Sequence, residues 1–137
     1  MSPQLEPKGK MNVIGSETIA KSILVIDKCE DTANSLALLL RVVGCRARAV
    51  ATCAAAITTA RTDPPDVIVF EPWLLDVDAR ELIRRLSAAG TRSRFIALTT
   101  LCRPADLECW RDAGVQACLI KPATLESIMA AVSGKGD

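Results

Sequence analysis

The sequence predicts an α/β domain in which five strands alternate with five helices around a mainly parallel sheet. Three observations carry this. Short apolar, β-branched-rich runs recur along the chain, among them Ile23–Ile26, Val67–Phe70 and Phe95–Leu98. Each is followed by a stretch with apolar residues at helical spacing. Glycine, proline and capping residues punctuate the junctions. Strict alternation requires right-handed βαβ crossovers, which place helices on both faces of the sheet.

Each element has its own local reason. Ile23-Leu24-Val25-Ile26 is a first strand, ending at Asp27. The stretch from Thr32 to Val43 is helical in period and stops at Gly44, a good residue just past a helix end. Cys45 to Val50 alternates polar and apolar residues, as a half-exposed strand does. Thr52 is placed to cap an alanine-rich helix from Cys53 to about Arg61, which Asp63-Pro64-Pro65 breaks. The third strand covers Asp66 to Phe70, a continuous apolar run suited to burial on both faces. Asp78 and Glu81 have the spacing of a capping box for a helix reaching about Ala89. Arg94 to Thr99 is the fourth strand. Pro104 opens a helix that ends before Gly114. Val115 to Ile120 is the fifth strand, and Thr124 caps a last helix to about Val132. The expected organisation is an arm over 1–21, one domain over 22–133 and a tail over 134–137.

Composition narrows the function. Lys and Arg number 17 against 16 Asp and Glu, a net charge of +1. That balance lacks the basic excess of a dedicated nucleic-acid binder. No apolar run approaches the ~20 residues of a membrane span, and no signal-peptide pattern opens the chain. The expected location is the cytoplasm. Histidine is absent, which excludes histidine-based triads, metal sites and phosphohistidine chemistry on this chain. The six cysteines form no CxxC pair, and most are expected to be small buried apolar residues.

The polar residues after the strands carry the functional argument. Asp27, Lys28 and Cys29 follow the first strand, Glu71 the third, Thr99 and Thr100 the fourth, and Lys121-Pro122 the fifth. In doubly wound sheets ligands sit beyond the carboxyl ends of the strands. Each residue alone has an ordinary explanation as a cap or a surface charge, but four such strand ends on one edge form a pattern.

The segments ILVIDKCEDTANSLALLL, PPDVIVFEPWLLDVDARELIRRL, FIALTT and AGVQACLIKP resemble the receiver domain of two-component response regulators, over about 22–133. The resemblance implies a flavodoxin-like sheet in the order 2-1-3-4-5. It also implies a signalling domain rather than an enzyme, with a histidine kinase, an output protein or a second copy as partner. Family receivers take a phosphoryl group onto an aspartate after the third strand, beside an acidic pair that binds Mg2+. Carried over, the acidic-pair positions are Asp27 and Lys28, and the acceptor position is Glu71. The hydroxyl is Thr99, with Thr100 beside it, and the phosphate-contact lysine is Lys121. The position of the family's aromatic switch holds Cys118.

Two positions depart from the pattern. Lys28 stands where a carboxylate is usual, and a cation there opposes Mg2+. Two unit charges ~4 Å apart repel by roughly 4 kcal/mol at an effective dielectric of 20, and a divalent ion feels about twice that. Mg2+ binding is therefore expected to be lost or very weak, with no other cofactor. Glu71 is one methylene longer than aspartate, and a ~1 Å misplacement can cost ~100-fold in rate. Asp76 and Asp78 are substitute acceptors only in principle. Glu71 is expected to be a salt-bridged relic, or else a mimic of the phosphorylated state engaged by Lys121, Thr99 and Lys28. Trp110 is expected to pack near Cys118 or Leu107 rather than stand exposed as a partner anchor. The leading expectation is an unphosphorylated receiver acting through protein–protein contacts. A phospho-accepting receiver is the alternative. A thiol sensor using Cys29 or Cys102, activated by Lys28 or Arg103, is the minority reading.

Overall fold

The computed structural model describes residues 21–134. The expected arm and tail lie outside these residues, apart from Lys21 and Gly134. The elements run β1 (Ser22–Ile26), α1 (Glu30–Val42), β2 (Arg46–Val50), α2 (Cys53–Thr62), β3 (Val67–Phe70), α3 (Ala79–Ala88), β4 (Arg94–Thr99), α4 (Pro104–Ala113), β5 (Val115–Ile120) and α5 (Leu125–Val132). The five strands form one sheet in the order β2-β1-β3-β4-β5, every neighbouring pair parallel.

The period of two along each central strand sorts its side chains into two cores. Leu24, Ile26, Ile68, Phe70, Phe95 and Ala97 face α2, α3 and α4, where Phe70 and Phe95 meet edge to face at 6.5 Å. Ile23, Val25, Val67, Val69, Ile96 and Leu98 face α1 and α5. Both faces are buried, so these strands must be apolar throughout. The edge strands β2 and β5 are only partly covered and keep polar residues such as Arg46 and Gln116.

The helix ends show where local signals sufficed. Thr52 and Thr124 accept from the N–H groups of Ala55 and Ser127, as their sequence positions predict. Gly44, at φ +103°, turns the chain out of α1. Helix α1 begins at Glu30, two residues earlier than the apolar period suggests, because Glu30 and Asp31 complement the positive end of the helix in its first turn. The capping box at α3 is half formed. The Asp78 carboxylate accepts from Glu81 N–H at 2.9 Å, but the Glu81 carboxylate turns to Arg84 and Arg85 instead of the cap. Among the described residues no helix is long and apolar enough to cross a membrane.

Candidate functional site

Strand register brings the strand-end residues together. Asp27, just past β1, is buried, and its Oδ1 accepts the Cys29 N–H at 2.8 Å. Glu71 follows β3, its N–H bonded to Ile26 O, and its side chain is only 5% exposed. Lys121 follows β5 and donates its backbone N–H to Thr99 O at 2.7 Å. Its Nζ reaches Glu71 Oε1 at 3.5 Å. The other carboxylate oxygen of Glu71, Oε2, accepts the N–H of Trp73 at 3.2 Å. The extra methylene thus lets the carboxylate fold back onto its own loop while still meeting the lysine. A buried carboxylate needs both partners, since an unpaired one carries a large desolvation cost.

The remaining positions stand apart from the Glu71–Lys121 pair. Lys28 is exposed, and among the described residues its ammonium meets no carboxylate; its backbone N–H is fixed to Leu74 O at 2.9 Å. A long alkyl stem lets the charge stay in water at little cost. Lys28 therefore does not neutralise Glu71. The Thr99 hydroxyl is fully buried and pairs with Leu101, 3.3 Å from both its N and its O, and not with Glu71. Thr100 is exposed. The space bounded by Asp27, Glu71 and Lys121 is a cavity of about 20 Å3, room for about one water.

Few unengaged oxygens remain here for a divalent cation. Mg2+ requires about six oxygen donors in near-octahedral array. Asp27 and Glu71 supply two carboxylates, in which Asp27 Oδ1 and both Glu71 oxygens are already engaged by Cys29, Lys121 and Trp73. No cluster of three or more metal-ligating side chains occurs among the described residues.

A second arrangement, invisible in the strand pattern, roofs this edge. The Trp73 indole N–H donates to Leu101 O at 2.7 Å, tying the loop after β3 to the loop after β4. Its ring meets Trp110 edge to face at 5.5 Å, with the Arg103 guanidinium 5.9 Å over it. Trp110 is only 5% exposed and packs into the core, as expected, in the cluster that Cys102 and Cys118 also adjoin. Arg103 is in turn held by Asp106, which accepts its N–H and its Nε. Asp76 caps α2 from a distance, accepting Cys53 N–H at 2.9 Å. Its carboxylate is occupied as Asp78's is.

The thiols divide by environment. Only Cys45 and Cys53 are buried, which corrects the expectation that most would be, and burial pushes both upward in pKa. Cys29 is exposed. Its thiol is lowered by a hydrogen bond from the Thr32 hydroxyl at 3.1 Å, not by Lys28. Cys118, partly buried on the β5 edge, is pushed up to about 12, mainly by burial and then by its contact with Cys102.

Residues 23–133 match the family model of the response regulator receiver domain. No protein of curated function matches the chain by sequence. Among solved structures, a two-component response regulator from Clostridium difficile is similar at 25% identity and TM-score 0.75, covering 83% of this chain and 93% of its own. A Burkholderia pseudomallei response regulator carrying a phosphorylated aspartate and a calcium ion is 29% identical, with TM-score 0.74, covering 82% of this chain and 66% of that one. The receiver domain of a Pseudomonas aeruginosa sensor histidine kinase, with magnesium in its active-site cleft, is 26% identical with TM-score 0.70. The alignment covers 85% of this chain and 99% of that one.

Proposed function

This chain belongs to the response regulator receiver family, and on that premise we propose that it serves two-component signalling without being phosphorylated. In this reading Glu71 occupies the phosphoacceptor position as a fixed charge, Asp27 and Lys28 the acidic-pair positions, Thr99 and Thr100 the hydroxyl positions, and Lys121 the phosphate-contact position. The observation that carries the reading is the buried Glu71 carboxylate, engaged by both Lys121 and the Trp73 N–H. A carboxylate held at both oxygens is fixed in place and less free to swing toward an incoming phosphoryl group. Without three carboxylates for a metal, the charge that develops on a transferring phosphoryl group also lacks its usual Lewis acid.

The mimicry alternative draws on the Lys121 contact alone. Thr99 is turned to Leu101 and Lys28 to solvent, so two of its three required contacts are missing. A single conformation held by the Glu71–Lys121 pair and the Trp73 clasp fits better. The domain then acts by contact with a kinase, an output protein or a second copy through the α4–β5–α5 face, where Ile120 is 51% exposed.

The test is intact-mass analysis after incubation with a small acyl phosphate and Mg2+. Wild type should gain no phosphoryl group, whereas Lys28→Asp/Glu71→Asp should gain one. Phosphorylation of the wild type on Glu71, Asp76 or Asp78 would overturn the reading.

A further inference from the structure

The groove between α4 and β5 brings two thiols from distant elements together. Cys102 lies in the loop leaving β4, and Cys118 in the middle of β5, in register with Ala97. Both are partly buried, both pack against the same core cluster, and both line a groove of about 230 Å3 together with Leu107 and Ile120. The two thiols are close enough that Cys102, after burial, helps to raise the Cys118 thiol. Neither contributes to the Glu71–Lys121 pair, and the receiver reading leaves both without a role.

We propose that Cys102 and Cys118 form a reversible disulfide that locks the β4–α4 loop to the edge strand, a redox modification independent of phosphotransfer. Cys102 is the attacking thiol. It sits on a loop lining the groove, whereas burial and its neighbour hold Cys118 protonated, and the thiolate is the nucleophile. Its co-reactant is a small-molecule disulfide. The Cys102 thiolate attacks one sulfur, the S–S bond breaks, and one equivalent of thiolate leaves. Capping Cys102 removes one of the neighbours that hold the Cys118 thiol up, so the second thiol ionises more readily. The Cys118 thiolate then attacks Cys102 Sγ and expels the second thiolate, which takes up the proton that Cys118 released. Two protein thiols are oxidised and one external disulfide is reduced to two thiols.

The consequence follows from the neighbouring contacts. Leu101, adjacent to Cys102, accepts the Trp73 indole N–H and pairs with Thr99. Tying Cys102 to β5 restrains this loop, and with it the clasp that joins the loops after β3 and β4.

The test uses the full chain with glutathione disulfide. Unreduced peptide mapping should recover a linked pair of peptides bearing Cys102 and Cys118, released by dithiothreitol. In Cys118→Ser, Cys102 should instead remain a glutathione adduct. Emission from Trp73 and Trp110, the protein's 2 tryptophans, should shift on oxidation of wild type and not of Cys118→Ser. A natively folded wild type in which Cys102 carries glutathione while Cys118 stays free would overturn the proposal, as would a bond from Cys102 to Cys29 or Cys109. Formation of the bond with unchanged tryptophan emission would overturn its locking role.

Discussion

Replacing Lys121 by methionine removes the cation from beside Glu71 while keeping most of the alkyl stem. The Glu71 side chain is 5% exposed and that of Lys121 26%, with 3.5 Å between Oε1 and Nζ. At an effective dielectric of about 20, two unit charges at that distance attract by roughly 5 kcal/mol. The partial exposure of Lys121 discounts this, because solvent screens the ammonium and repays part of its loss. The Trp73 N–H continues to stabilise one carboxylate oxygen in the variant. Breaking a fully buried pair costs about 3–5 kcal/mol, so a loss of about 2–3 kcal/mol is expected at pH 7. Urea unfolding of wild type and Lys121→Met measures it, the shift being read at constant slope. The cycle is completed by Glu71→Gln and by Glu71→Gln/Lys121→Met. Removing the orphaned charge makes the double variant more stable than Lys121→Met alone. A loss below about 0.5 kcal/mol, or a double variant no more stable than Lys121→Met, would refute the claim that this pair holds the strand end.

Other consequences are local. Trp73→Phe removes the hydrogen bond to Leu101 and should cost about 1 kcal/mol, while a Trp73/Trp110 double-mutant cycle should show a coupling of about 0.5–1.5 kcal/mol; additivity in denaturant unfolding would contradict the clasp. Asp78→Ala should cost about 1 kcal/mol and Asp78→Asn much less, because only the half of the box made by Asp78 exists at α3. The Glu81 carboxyl is held down to about 2 by hydrogen bonds from Arg84 and then Arg85. A depressed carboxyl stabilises the folded state fully above its ordinary value of 4.5, and that contribution is lost as pH falls through about 2. Carboxyl titration by NMR should place the Glu81 midpoint well below 4.5, and a midpoint near that value would contradict the ion cluster. Asp76→Ala should weaken the start of α2, visible as faster amide exchange at Cys53, whose N–H it accepts.

The sequence by itself determined the order of elements, the two-faced burial of β1, β3 and β4, and the caps at Thr52, Asp78 and Thr124. These depend on periods of two and 3.6 residues and on bonds spanning three residues, which are local and readable along the chain. It also determined that Asp27, Glu71, Thr99 and Lys121 share one edge, because parallel strands align their carboxyl ends. Tertiary structure alone decided which of these residues touch. Whether Lys28 turned inward or outward depended on a long flexible stem with water available, and sequence spacing carries no information about that. The same holds for Asp76 reaching Cys53, Trp73 reaching Leu101, and Cys102 meeting Cys118, since each contact joins loops and strand edges that are distant in sequence. Position 71 shows the division most plainly: the apolar run before it fixed its place at the strand end, while Lys121 and the Trp73 N–H, set by folding, fixed what its carboxylate does there.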